Sequence, residues 1–188
     1  GDTIWMGACD SEGTMVSFIQ SVFWEFGSGL TCPATGVFFQ NRGAGFSLAG
    51  GPNGLEPGKR PFHTLNPAFA ELNDGRSMVY GTMGGDGQPQ TQAALLTRYA
   101  AFGGDLQEAI TAPRWLLGKT WGSGSTSLKI ESNMSPAVIE ALKTAGHAVE
   151  LVDPLNEMMG HAGAIVLHDH GLIEGANDPR SDGLALIV

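Results

Sequence analysis

The order of elements read along the sequence predicts an α+β domain with layered, largely antiparallel sheets. Three observations carry this: the chain opens on a strand–turn–strand hairpin, turn signals recur at Asn73-Asp-Gly75 and Asp169-His-Gly171, and the helical segments are few and short. Hairpin turns therefore outnumber strand–helix–strand crossovers.

Thr3–Ala8 reads as a strand, Asp10-Ser-Glu-Gly13 as its turn and Met15–Gln20 as the returning strand. The stretch from Phe26-Gly-Ser-Gly29 to Gly36-Val-Phe-Phe39 is punctuated by glycine and then rich in β-formers. It leads into a Gly/Ala/Pro-rich loop from Arg42 to Gly58, long enough to serve a function. Arg76–Tyr80 is a strand, and Gly81-Thr-Met-Gly-Gly-Asp-Gly87 hands it to a helix with apolar residues at helical spacing from Gln90 to Phe102. Asp105, with Glu108 three residues on, caps a short helix that stops near Pro113. Ser135-Pro136 opens a third helix that Gly146 closes as its C′ residue. Strands Ala148–Val152, Ala164–His168 and Leu172–Gly175 complete the order.

At 188 residues the chain has the length of one domain, read as residues 1–188. With 42% apolar and 15% charged residues it is not disordered, and so few charges point to a surface hidden against a partner. A net charge of −9 with no Lys/Arg run argues against nucleic acid and anionic membrane as partners. No apolar stretch approaches the roughly 20 residues of a membrane helix, and the start lacks the features of a signal peptide. The expectation is a soluble chain of bacterial-type cytoplasm or periplasm, with any export signal on a longer precursor. Cys9 and Cys32 have no metal spacing and read as buried free thiols; His168-Asp-His170 reads as a turn between strands rather than a ligand pair.

A threonine that opens a strand is ordinary, and a hydroxyl is a poor nucleophile without an adjacent base. Thr3 becomes chemically interesting if the chain is cut before it, because a freed α-amine, with a pKa of roughly 7.7–8.0, can take the hydroxyl proton near neutral pH. Gly81–Gly87 matches neither GxGxxG nor GxxxxGK[ST], so a phosphate cradle carries little weight. An oxyanion hole built from glycine N–H groups and a plain strand-to-helix turn both remain open.

Five segments, Phe26-Gly-Ser-Gly29, Glu56–Pro61, Gly84-Gly85, Asp105–Arg114 and Gly175–Gly183, together resemble the small subunit of gamma-glutamyltranspeptidases, in the family's order and over nearly the whole chain. The resemblance implies an αββα sandwich of antiparallel sheets flanked by helices, of the N-terminal-nucleophile hydrolase type. It also implies a self-cleaving precursor whose large subunit remains as partner in a heterodimer. Carried across by position, the nucleophile falls on Thr3, a supporting hydroxyl on Ser21 and the oxyanion-hole glycines on Gly84 and Gly85. The family also has an aspartate where Asp10 stands. No metal or organic cofactor is required by this chemistry.

The family's γ-glutamyl-binding positions fall on Phe23, Arg42, Gly45 and His63-Thr64, and Gly45 cannot supply the acidic partner that a substrate ammonium needs. Phe23, Trp24 and Arg42 instead read as an apolar wall and a cation, with core packing and a solvated loop arginine as the competing readings. The set is similar to the family's cephalosporin-acylase branch. The expected function is an amidohydrolase that removes a glutaryl-like acyl group from an amide. The alternatives are a γ-glutamyltransferase or glutathione hydrolase and, in another class, a catalytically silent structural or binding relative. Because Gly1-Asp2 precedes Thr3, the base exists only after scission at Asp2.

Overall fold

The computed structural model of the chain describes residues 3–118 and 125–187. In chain order its strands are β1 (Thr3–Cys9), β2 (Met15–Ser21), β3 (Ala68–Glu71), β4 (Ser77–Gly81), β5 (Trp115–Leu117), β6 (Leu128–Glu131), β7 (Val149–Val152), β8 (Gly163–Leu167) and β9 (Ile173–Asn177). Its helices are α1 (Gln88–Leu96), α2 (Leu106–Thr111) and α3 (Pro136–Thr144).

The alternating residues of β1 and β2 pair antiparallel, with Thr3 opposite Ser21 and Cys9 opposite Met15. The Asp10 carboxylate closes their turn by accepting from the N–H groups of Thr14 (2.8 Å) and Glu12 (2.9 Å), and these bonds hold its pKa below the usual carboxylate value. A second, wholly antiparallel sheet runs β3-β4-β8-β9. On one of its faces Met78, Tyr80 and Val166 form the main core with Leu95, Leu106 and Ile110 from the helical segments. The other face carries the hairpin. There the Trp5 ring lies against Gly81 and Gly163, a cross-strand pair at which a Cβ would stand 2.1 Å and 2.4 Å from ring carbons. Only residues without side chains admit an indole this close. Trp5 Nε1 donates to Ser17 Oγ (3.0 Å), which donates to the Tyr80 carbonyl (3.3 Å), so the hairpin is also tied to β4 by hydrogen bonds.

Hairpin, sheet and helices make three successive layers of the expected αββα arrangement. The hairpin's outer face, with Ile4, Met6, Val16 and Phe18, is exposed and apolar. A third sheet, β5-β6-β7, contains the parallel pair β6–β7 with α3 between them in sequence, and α3 buries Ile139 against Leu128 and Ile130.

Four expectations need correction. Phe26–Phe39 forms no strand beyond the isolated Thr31–Phe38 bridge, because Gly27, Gly29 and Gly36 all turn with positive φ. Strands β3, β5 and β6, short or lacking clear alternation, went unread. The first helix starts at Gln88, before its apolar spacing begins, and widens into a π turn over Thr97–Ala101. Both cysteines are free but half-exposed, since one ends β1 and the other lies in the irregular loop. The predicted caps stand where expected: Asp105 accepts from the Glu108 N–H at 2.9 Å, and Gly146 follows α3 with φ 93°. Ser135 occupies its cap position without a side-chain bond.

The Trp5 contact gives a test of the layering. Gly163→Ala is expected to destabilise the fold by about 1–3 kcal/mol, the range for overpacking a filled site, read as a lower urea midpoint.

Candidate active site

β1 and β2 begin and end at the same edge, which brings the hydroxyls of Thr3 and Ser21 to 2.7 Å. The Phe23 N–H donates to the same Ser21 Oγ at 2.9 Å. Phe23 takes a left-handed conformation, φ 80°, rare for a bulky residue. This turn sends the chain away from β2 and stacks Phe23 on Trp24, with ring centroids 5.0 Å apart.

The long loop then folds back on its start. Asn41 receives the Trp24 N–H on its side chain and donates its own N–H to the Val22 carbonyl, both at 3.0 Å. Arg42 is thereby placed with its guanidinium 4.6 Å from the Phe23 ring centre, and it is buried. Asn53 ties the later part of the loop, donating to the Gly45 carbonyl (2.7 Å) and accepting from the Phe62 N–H (3.0 Å). Thr64 is thus close enough to accept from Arg42 Nη1 at 3.1 Å. His63 has its pKa lowered by desolvation and, second, by the Arg42 charge. At Gly45 a Cβ would stand 3.7 Å from the Phe23 ring, an ordinary contact, so backbone geometry does not demand glycine there.

Thr3, Ser21, Phe23, Arg42 and Thr64 therefore form one chain of contacts. Gly84 and Gly85 share none of these. They lie three and four residues beyond Gly81, at the end of the sheet that Trp5 covers, with φ 125° and 53°, and they lead through a 3₁₀ turn into α1. A turn of this kind at a helix start is a backbone arrangement that can offer N–H groups to an anion. His168 contacts Glu174 at 3.1 Å and His170 contacts Asp169 at 2.9 Å around the Gly171 turn. Among the described residues no group of three or more His, Cys, Asp or Glu is placed to hold a metal, and no helix is long and apolar enough to cross a membrane.

A family model described as gamma-glutamyltranspeptidase matches residues 1–188. The chain belongs to that family. The oxamate amidohydrolase proenzyme of Klebsiella pneumoniae subsp. pneumoniae is 62% identical over 188 residues, 98% of this chain and 35% of that protein. The glutathione hydrolase-like YwrD proenzyme of Bacillus subtilis is 45% identical, again over 98% of this chain and 35% of its own length. A cephalosporin acylase structure from Bacillus halodurans superposes with a TM-score of 0.77 at 31% identity, covering 96% of this chain and 33% of that one. The chain thus spans about a third of the length of these relatives.

Sequence reasoning missed two features of this site. The Trp5–glycine contact was invisible because Gly81 and Gly163 are 82 positions apart, although their pairing opposite a tryptophan is a recognisable signature once the register is known. The Met159–Ala162 segment, which backs Gly84, carried only an isolated Gly160-His161 as a signal.

The electrostatic link between Arg42 and His63 can be read directly. Arg42→Ala is expected to raise the His63 pKa, because it removes a cation that disfavours the imidazolium, and an NMR titration of the His63 ring proton would show the midpoint moving to higher pH.

Proposed function

We propose that this chain is the catalytic part of an amidohydrolase acting on a small amide whose acyl group bears a carboxylate, with oxamate as the first substrate to test. The observation that carries it is the 2.7 Å pair of Thr3 and Ser21 hydroxyls at the start of β1, in a chain 62% identical to an oxamate amidohydrolase proenzyme. Arg42 supports the carboxylate part of the reading: it is buried, held by Thr64 and stacked on Phe23, two contacts from Ser21. Gly45 supports the same choice over a γ-glutamyl substrate, since it offers the ammonium no counter-charge.

Scission between Asp2 and Thr3 exposes the threonine amine. Thr3 Oγ1 attacks the amide carbon while that amine takes the hydroxyl proton, and Ser21 Oγ orients the attacking oxygen. The N–H groups of Gly84 and Gly85 hold the tetrahedral oxyanion. Collapse breaks the C–N bond, the amine returns its proton to the leaving nitrogen, and water hydrolyses the threonyl ester to free the acid. The remaining two-thirds of the precursor is the partner in this reading, and the apolar outer face of the hairpin, with Ile4, Met6, Val16 and Phe18, is where it would cover β1 and β2.

Two measurements on the full-length precursor test this. Mass spectrometry after incubation is expected to find a new amino terminus at Thr3, and Thr3→Ala to abolish both cleavage and ammonia release from oxamate. Persistence of one intact, inactive wild-type chain would favour a silent relative. Arg42→Ala is expected to leave cleavage intact and raise KM for oxamate about 10-fold or more, the scale of a lost charged hydrogen bond. Turnover of a γ-glutamyl anilide without turnover of oxamate or a glutaryl anilide would overturn the assignment of Arg42.

A further inference from the structure

The segment Met159–Ala162 is held more firmly than a surface turn requires. Arg114 Nη1 donates to the carbonyls of Met159 (3.2 Å) and Gly160 (3.0 Å), and it pairs with Asp178 at 2.6 Å. Asp178 Oδ2 in turn accepts from the Ala162 N–H at 2.7 Å. Both side chains are almost wholly buried, so each keeps its charge only through these bonds. Thr91 Oγ1 adds a bond to the Met159 carbonyl at 3.0 Å. The backbone on both sides of residue 161 is therefore fixed.

His161 itself is not satisfied: its Nε2 is buried and has no hydrogen-bond partner among the described residues. A buried polar atom without a partner is a rare condition that calls for a physical reason. Its position supplies one. A Cβ built on Gly84 would stand 3.9 Å from the Gly160 Cα, so the residue before His161 abuts the candidate oxyanion turn. Two residues after it, Gly163 lies under the Trp5 ring, and Gly7 approaches Ile165, where a Cβ would stand 3.3 Å from Cδ1. β1 and β8 thus run in step, which brings Thr3, two residues before Trp5, level with residue 161. Ala162 and Ala164 belong to the core beneath the helices, while Gly163 and Ile165 face the hairpin. His161 thus follows the residue that abuts the glycine turn and precedes by two the glycine that lies under Trp5.

We propose that His161 is a substrate-positioning residue whose Nε2 accepts a hydrogen bond from the NH2 group of the scissile amide. Burial lowers its pKa, against the opposing pull of Asp178 and Glu157 and helped by the Arg114 charge; this favours the neutral ring, whose Nδ1–H tautomer would offer an acceptor at Nε2. A primary amide suits it: its leaving group is ammonia, which has no substituent for other parts of a pocket to hold, so an acceptor for its N–H is what can orient the nitrogen toward the returning proton. The inference rests on the amidohydrolase reading above.

The test uses the full-length precursor as wild type, His161→Ala and His161→Gln, with precursor cleavage, melting temperature and oxamate turnover measured on each. The expected result is unchanged cleavage and melting, a loss of roughly 10-fold or more in kcat/KM for His161→Ala, and recovery of most of it by His161→Gln, whose amide reaches the Nε2 position. An active wild type with a His161→Ala variant within about twofold of it would overturn the role of His161 and leave the proposed function standing. A fall in melting temperature or cleavage parallel to the fall in turnover would overturn it as well, in favour of a structural histidine. A wild type that cleaves itself and hydrolyses no oxamate would remove the proposed substrate and this inference together.

Discussion

Two cations and two anions buried against one another constrain the rest of the molecule. Arg114 and Asp178 pair at 2.6 Å, and Arg180 pairs with Glu131 at 2.5 Å and with Asp178 at 3.1 Å. Their charges balance, yet burial still pushes the Arg114 pKa down to about 10. Such a cluster is tolerated only when every lone pair and proton is used, since loss of a single partner typically costs about 3–5 kcal/mol. The bonds that satisfy it join elements distant in sequence: Glu131 ends β6 and accepts from the Arg114 and Asn156 N–H groups, Asp178 follows β9, and Arg180 donates to carbonyls at the end of α2. The three-stranded sheet, the four-stranded sheet and the Met159–Ala162 segment are locked to one another by this requirement. The hairpin and the glycine turn rest on the frame it fixes.

The same cluster explains which parts of the sequence were legible and how far. Asp105–Arg114 and Gly175–Gly183 stand out as family marks, but a one-dimensional reading assigns their charges no partner, because Arg114 and Asp178 are 64 positions apart. Local rules served well where the physics is local. The opening hairpin stands where its turn and strands were read, Asp105 caps α2, and Gly84 and Gly85 do take backbone conformations that favour glycine. They failed where distant contacts decide the outcome. The apolar, β-branched stretch up to Phe39 has strand composition, but its glycines and the Asn41 bonds to residues 22 and 24 fold it into an irregular loop. That Phe23, Arg42 and Thr64 meet is a consequence of the folding-back, and no spacing announces it.

Phe23 shows how the loop is bound to the hydroxyl pair. A bulky residue at φ 80° costs energy, of order 1–3 kcal/mol, and holds only where its surroundings over-determine it. Here three contacts do so: its N–H is taken by Ser21 Oγ, one ring face stacks on Trp24, and the Arg42 guanidinium lies against the ring. Because Phe23 satisfies Ser21 as a donor, that oxygen still has a proton and a lone pair to share with Thr3 at 2.7 Å. Phe23 and the Ser21 hydroxyl are consequently one unit, so a change in the loop conformation alters the Thr3 environment without touching β1.

An asymmetry in how β1 is held bears on how such a site is completed. A two-stranded hairpin is marginal in water by itself and needs a packed face to be stable. Its inner face has one, through Trp5 against Gly81 and Gly163 and through Ser17 to Tyr80. Its outer face, with Ile4, Met6, Val16 and Phe18 exposed, has none among the described residues. Thr3 is the first residue of that strand, so cover on the outer face bears on its placement as well as on the stability of the hairpin. In a chain that spans about a third of the length of the proenzymes it matches, covering the outer face would both bury apolar surface and stiffen the strand end.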